Sequence, residues 1–141
     1  MAVRVVETRA PAQTESLGAE LAAGLAGGDV VLVRGELGAG KTTFVRGAAR
    51  ALGVEVPVTS PSFSIGHRYK GEKLTVSHLG LYRLAGLASE DSGLLDDYLG
   101  PDRIAFVEWA PDDEAELGQP RLRVSLTHGA GDHRRIEVAE G

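Results

Sequence analysis

The apolar positions of this chain form short continuous runs that alternate with stretches of helical spacing, a pattern typical of α/β proteins. Residues 30–33 read Val-Val-Leu-Val, and residues 104–107 read Ile-Ala-Phe-Val. Uninterrupted apolar runs of this length are typical of parallel strands that are buried on both faces. We therefore expect these two strands to lie side by side and parallel in the centre of a sheet.

Three stretches carry apolar residues at helical spacing. The first begins at Thr14, which we interpret as an N-cap, and ends at the glycines of residues 27–29. The second ends at Gly53, and the third runs from an N-cap at Ser89 to the Gly-Pro pair at residues 100–101. In chain order, their apolar stripes are Leu17, Leu21 and Leu25; Phe44, Val45, Ala48, Ala49 and Leu52; and Leu94, Leu95, Tyr98 and Leu99.

The remaining apolar positions alternate with polar ones, which predicts further strands. One strand begins near Val3, and two hairpins, at residues 64–79 and 121–138, add antiparallel strands. In the first hairpin His78 falls on the apolar face, and Gly80 continues that face. A lone histidine in such a position is more often structural than catalytic.

Residues 35–42 read Gly-Glu-Leu-Gly-Ala-Gly-Lys-Thr and match the phosphate-binding pattern G-x-x-x-x-G-K-[ST] at every fixed position. The three glycines allow backbone angles that turn successive N–H groups toward a phosphate. Lys41 supplies a charge for the β- and γ-phosphates, and Thr42 supplies a hydroxyl for Mg²⁺. A chance match is the alternative, but a buried strand precedes this loop and a helix follows it, as a true P-loop requires.

The length, composition and net charge of the chain limit the class of protein. A chain of 141 residues suits one domain, so we expect a single P-loop ATPase domain over residues 1–141. Its fold is predicted as an α/β three-layer sandwich of the P-loop NTPase type, with a mixed sheet that is parallel at its centre. The chain lacks cysteine. Its net charge of −5 argues against a surface that binds nucleic acid by itself. No signal-like or membrane-length apolar run occurs, and we expect a cytoplasmic protein.

A P-loop enzyme also needs a carboxylate near Mg²⁺, usually at the end of a buried strand. Glu108 directly follows the apolar run 104–107 and is the best candidate. The alternative interpretation of Glu108 is a surface glutamate just past a strand. Trp109, the next residue, could pack in the core or lie against the nucleotide.

Residues 59–64, Thr-Ser-Pro-Ser-Phe-Ser, place four hydroxyls close together. They could form a plain polar turn or a loop that senses the γ-phosphate. Residues that contact adenine leave no sequence pattern, and Thr14 is only a guess for that role.

Four segments resemble, in one order, the bacterial ATPase family of tRNA threonylcarbamoyladenosine biosynthesis, TsaE. They are residues 35–43; residues 59–63, where the family has S-P-T-[FY]; residues 78–83, similar to H-x-D-x-Y-R; and residues 106–109, Phe-Val-Glu-Trp. The resemblance extends over residues 14–109.

This resemblance implies a small P-loop ATPase with weak turnover that binds ATP or ADP with Mg²⁺. It also implies that the protein supports the threonylcarbamoyl transferase and that enzyme's inactive paralogue, which together modify adenosine-37 of certain tRNAs. Contact with tRNA would be only indirect, and no membrane is involved.

Residue by residue, the resemblance implies catalytic roles for Lys41 and Glu108, and Mg²⁺ ligands in Thr42 and Glu108. The family's aspartate in the third motif is Gly80 here, which predicts weaker hydrolysis than in a member that has the aspartate. The implied nucleotide-binding residues are Gly35, Leu37, Gly38, Ala39, Gly40, Lys41, Thr42, Thr43, Ser62 and Trp109.

Three functions therefore remain open from the sequence. The first is a slow ATPase coupled to a partner complex. The second is a nucleotide-gated binding module whose hydrolysis is impaired by Gly80. The third is a small-molecule kinase, which we disfavour because the sequence has no arginine cluster typical of the lid of such a kinase.

Overall fold

The structure is a computed structural model that describes residues 3–35, 39–60, 66–80, 99–108 and 120–140. Within these ranges the chain forms seven strands and two helices, and neither helix is long and apolar enough to cross a membrane. Their bounds are β1 Val3–Thr8, α1 Pro11–Ala22, β2 Val30–Gly35, α2 Lys41–Ala51, β3 Gly66–Lys70, β4 Thr75–Gly80, β5 Arg103–Glu108, β6 Leu122–His128 and β7 Arg134–Glu140.

The strands of the described residues form one mixed sheet in the order β1-β7-β6-β2-β5-β4-β3. The central strand β2 is parallel to both β5 and β6, and β5 is parallel to β4. The pairs β3–β4, β6–β7 and β1–β7 are antiparallel. This topology confirms the predicted parallel centre and the two added hairpins.

Both faces of the central strands are buried, as their continuous apolar sequences predict. On one face Val31 and Val33 join the core cluster that includes residues of α1 and α2. On the other face Leu32 and Val107 are also fully buried. A sheet covered on both sides is what a three-layer sandwich requires, although the helix predicted from Ser89 lies outside the described residues.

The start of the first helix differs from the sequence prediction. Helix α1 begins at Pro11, with Ala10 in extended geometry at the N-cap, so the prediction that Thr14 caps it is wrong. Proline is well suited to the first helical turn because its φ is already helical and it has no N–H to satisfy. Thr14 lies one turn further on, buried, and its hydroxyl bonds that of Thr8 at 2.8 Å.

The end of this helix also differs, because α1 stops at Ala22 and not at the glycines of residues 27–29. The amides of Gly24 and Leu25 bond carbonyls three residues back, a tightened geometry that commonly closes a helix. Asp29 then fixes the turn by accepting a hydrogen bond from the amide of Ala26 at 2.8 Å.

The two helices cross at two glycines. A Cβ at Gly47 of α2 would overlap the carbonyl group of Glu15, and a Cβ at Gly18 of α1 would overlap the carbonyl oxygen of Phe44. Each helix therefore approaches the backbone of the other more closely than any side chain allows. This crossing fixes α2 against α1.

We expect Gly47→Ala to destabilise the fold by about 1–3 kcal/mol, the usual cost of forcing extra atoms into a packed core. The loss should appear although alanine favours a helix by roughly 1 kcal/mol over glycine. Urea unfolding monitored by circular dichroism measures it. Gly24→Ala is the control, since the nearest atom to a Cβ there, the carbonyl oxygen of Leu21, would lie 3.8 Å away. Equal stability of the two variants would contradict the close crossing.

Candidate functional site

The topology brings the predicted site residues to one edge of the sheet. The P-loop follows the C-terminal end of β2, and Glu108 is the last residue of β5. Since β2 and β5 are parallel and Val33 pairs with Glu108, both segments emerge at the same edge. Ligands of open α/β sheets bind at the carboxyl ends of such strands.

Two glycines of the loop are required by geometry that the structure shows directly. A Cβ at Gly35 would lie 2.7 Å from the carbonyl oxygen of Leu126 on β6 and 3.2 Å from the Cβ of Ala39. Gly40, which precedes α2, has φ +100°, in the left-handed region that other residues rarely adopt. These features agree with the pattern that defines the motif, and the first turn of α2 begins immediately after it.

The N-terminus of α2 is suited to an anion. The first turn of any helix leaves N–H groups without intrahelical acceptors, and the helix dipole makes this end positive. The first turn of α2 carries no acidic residue, and its N-cap, Gly40, offers no side-chain acceptor. A phosphate group is the ligand that this arrangement favours.

Lys41 is nearly buried at the start of α2, with 5% of its surface exposed. Its ammonium donates a hydrogen bond to the carbonyl oxygen of Gly35 at 2.7 Å, across the loop. Desolvation by burial lowers the pKa of Lys41, and the charge of Glu108 opposes that shift. Lys41 therefore keeps its charge at a cost in hydration, with its ammonium bonded across the loop.

Glu108 is buried, with 2% of its surface exposed, so the alternative of a surface glutamate is wrong. One of its oxygens, Oε2, contacts Nε2 of His78. Among the described residues no three His, Asp or Glu side chains are grouped as a complete metal cage. Mg²⁺ usually takes one or two protein carboxylates and completes its shell with water and phosphate oxygens. The oxygen donors of Glu108 and Thr42 suit this ion.

His78 is the part of the site that sequence reasoning missed. Its position on the buried face of β4 was predicted, but not its contact with Glu108. The contact follows from the parallel pairing of β4 and β5, in which His78 is opposite Phe106 and therefore diagonal to Glu108. The sequence signals are that both polar residues occur near the ends of apolar strands and that each belongs to a segment that resembles the family.

Some of the other predicted site residues lie within the described ranges and some lie outside them. Ala39 is buried, while Thr42 and Thr43 are half-buried in the first turn of α2. Thr59, at the start of the candidate sensing loop, donates its amide hydrogen to the hydroxyl of Tyr69 at 3.3 Å. Four predicted residues lie outside the described ranges: Leu37, Gly38, Ser62 and Trp109.

A cavity of about 40 Å³ opens beside the first turn of α2. It has one acidic and one basic side chain, Asp132 and Arg134, on the β6–β7 side. Thr14, the residue guessed to contact adenine, also lines it. The complete lining is Pro11, Thr14, Gly40, Thr43, Asp132 and Arg134.

Comparison with known proteins assigns the chain to a family. The family model described as "Threonylcarbamoyl adenosine biosynthesis protein TsaE" matches residues 8–136. The chain belongs to the TsaE family. The match extends beyond the four motifs and includes both helices and strands β2 to β6.

Individual TsaE proteins agree with this assignment. The tRNA threonylcarbamoyladenosine biosynthesis protein TsaE of Bacillus subtilis is 39% identical over 126 residues, which is 89% of this chain and 78% of that protein. The protein of the same name from Streptomyces coelicolor is 42% identical over 118 residues, 82% of this chain and 80% of that one. A crystal structure of Bacillus subtilis YdiB superposes with a TM-score of 0.77 at 33% identity, covering 99% of this chain and 87% of the other. The α/β fold is thus shared with a solved structure.

Proposed function

We propose that this chain is a Mg²⁺-dependent ATP-binding protein with slow ATPase activity. It supports the modification of tRNA with threonylcarbamoyladenosine by acting with the threonylcarbamoyl transferase and the inactive paralogue of that enzyme. The relatives named above are tRNA threonylcarbamoyladenosine biosynthesis proteins, and family membership supports the same pathway for this chain. Its ligands are ATP and ADP with Mg²⁺.

The observation that carries the proposal is that Lys41 and Glu108, side chains of opposite charge, are both buried at the edge where the P-loop lies between a strand and a helix. Burying two charged groups is costly unless they are paired or bind a ligand. A nucleotide phosphate with a divalent cation supplies the charges that such a site lacks.

Each residue has a distinct role in this proposal. Lys41 exchanges part of its bond to the Gly35 carbonyl for the β- and γ-phosphate oxygens. The first-turn amides of α2 donate to the same phosphates, and Thr42 and Glu108 hold Mg²⁺. When bound, Mg²⁺ neutralises charge that develops on the phosphate oxygens. The fold contributes positioning and electrostatic stabilisation, which are the main sources of catalysis in phosphoryl transfer.

The cavity beside Thr43 supports a position for the sugar end of the nucleotide. Its volume of about 40 Å³ is enough for a few atoms and not for a purine. Asp132 can accept hydrogen bonds from ribose hydroxyls, and Arg134 can donate to a phosphate oxygen. We therefore propose that the α-phosphate and ribose lie at the mouth of this cavity, with the base extending outward.

A nucleotide-gated binding module is the second candidate. It is favoured by one feature, Gly80, which has no carboxylate and lies directly opposite Glu108 in the sheet. In that case bound ATP controls docking to the transferase pair and hydrolysis is incidental. The two candidates differ in whether the partners raise turnover.

The test is ATP hydrolysis by the purified chain with Mg²⁺, alone and with the transferase pair, with Lys41→Met as the blank. Loss of the ammonium should lower ATP affinity about 10–100-fold, the effect of removing hydrogen bonds worth roughly 1.5–3 kcal/mol. Turnover should fall to background. Loss of the ammonium removes one buried charge but also the positive charge that acts on Glu108, so thermal unfolding of the nucleotide-free variant checks that it is folded.

Three outcomes separate the candidates. Partner-stimulated turnover that disappears in Lys41→Met supports the ATPase. Tight ATP binding without turnover in either condition supports the gated module. Equal ATP affinity of the parent chain and Lys41→Met, with both folded, would refute a nucleotide site at this loop.

A further inference from the structure

The buried contact between His78 and Glu108 joins two strands at the P-loop edge. His78 is fully buried, and its Nε2 contacts Oε2 of Glu108. The two residues are on the same face of the sheet as Val31 and Val33, which pack with α2. The contact is therefore on the side of the sheet that carries the P-loop helix.

The hydrogen bonds of the ring indicate its tautomer. Nδ1 of His78 is buried and has no hydrogen-bond partner among the described residues. A buried N–H without an acceptor is more costly than a buried lone pair without a donor. The single hydrogen of a neutral ring therefore belongs on Nε2, where it is donated to the carboxylate. The opposite arrangement, with Glu108 protonated and donating, would leave an unsatisfied N–H at Nδ1.

A buried pair of this kind contributes little to stability by itself. Polar pairs in protein interiors are often no more stabilising than apolar side chains of similar volume. Carboxylates that bind metals, by contrast, are commonly hydrogen-bonded by a neighbouring side chain that fixes their orientation. The pair stands at the strand ends, beside the loop, where such a requirement arises.

We propose that His78 is the positioning residue of the metal carboxylate: Nε2–H holds Oε2 of Glu108 so that Oε1 is presented to Mg²⁺. The inference rests on the proposed function, because it needs a cation at Glu108. His78 itself touches neither nucleotide nor metal. Its effect passes through one carboxylate, and this predicts that its removal weakens the response to Mg²⁺ without weakening Mg²⁺-free nucleotide binding.

The experiment measures the affinity for a non-hydrolysable ATP analogue by calorimetry, with Mg²⁺ and with EDTA. His78→Leu should lower the ratio of the two affinities about 10–100-fold, the usual effect of losing the partner of a metal ligand. Affinity in EDTA should stay unchanged. His78→Gln keeps an amide donor and should recover part of the ratio. His67→Gln is the matched control, since His67 is opposite His78 on β3 and has no contact with Glu108 among the described residues.

A double-mutant cycle keeps the test valid if His78→Leu does not fold. In the Glu108→Gln background the carboxylate charge is gone, so His78→Leu should fold and cause no further loss of the Mg²⁺ ratio. Equal losses in both backgrounds would show that His78 acts independently of Glu108 and would overturn the proposal.

Nuclear magnetic resonance of the parent chain gives a readout that does not depend on nucleotide. Long-range ¹H–¹⁵N spectra of the histidine rings should show the Nε2–H tautomer for His78, and Glu108→Gln should shift its Nε2 signal. A ring with hydrogen on Nδ1 would overturn the proposal. If the parent chain shows the expected tautomer and binds no nucleotide, the proposed function has failed. If it binds nucleotide with a Mg²⁺ ratio that His78→Leu leaves intact, this inference alone has failed.

Discussion

Glu108→Gln is expected to lower Mg²⁺-dependent ATP turnover about 10²–10³-fold, the scale of losing one well-placed electrostatic contact to the transition state. Glutamine has nearly the same shape, and its amide oxygen can still accept the hydrogen bond of His78. The fold should therefore survive while the charge that holds Mg²⁺ disappears. Steady-state turnover over a series of Mg²⁺ concentrations measures the effect.

The control for this variant is Glu137→Gln, an exposed glutamate on β7 of the same sheet. Its ion pair with Arg135, at 3.7 Å, is also exposed, and exposed pairs contribute little to stability. We expect unchanged turnover in the control and unchanged affinity for Mg²⁺-free ATP in both variants. Glu108→Gln protein that is folded and as active as the parent would remove Glu108 from the metal site.

The central part of this site could be predicted because its signals are local. Residues 30–33 and the sequence that follows predict a strand, a P-loop and a helix within about twenty positions. The apolar run before Glu108 identifies a second buried strand in the same way. Parallel pairing then follows from the rule that buried parallel strands read as continuous apolar runs.

Features that depend on distant residues could not be predicted. His78 and Glu108 are thirty positions apart, and their contact requires the register between β4 and β5. The crossing of α1 and α2 at Gly18 and Gly47 also depends on tertiary packing. It could not be predicted, because a glycine within a helix usually indicates only a lower helix propensity. The start of α1 differs from the prediction because threonine is a good N-cap, while proline is equally well placed in the first helical turn.

Gly80→Asp is expected to raise ATP turnover on the order of 10–100-fold, at the low end of the effect of a positioned acid–base group. The resemblance to the TsaE family implies an aspartate at this position, and the register supplies the geometry. Gly80 pairs with Glu108 across two parallel strands, about 4.8 Å apart at the backbone. An aspartate there would stand beside Glu108, on the face that carries the P-loop helix.

The introduced carboxylate would lie close to Glu108, and this proximity is expected to lower stability in a way that tests the mechanism. Two carboxylates side by side disfavour each other's ionisation, so Gly80→Asp should lower the unfolding temperature without Mg²⁺ and recover it when Mg²⁺ and nucleotide are bound. Gly80→Asn is the matched control, with the same size and no charge, and it should give neither the faster turnover nor the Mg²⁺-dependent recovery. Equal turnover in Gly80→Asp, Gly80→Asn and the parent chain, all folded, would mean that the missing carboxylate does not limit hydrolysis. The one feature that favours the nucleotide-gated module would then lose its force, and the choice between the two candidates would depend on whether the transferase pair raises turnover.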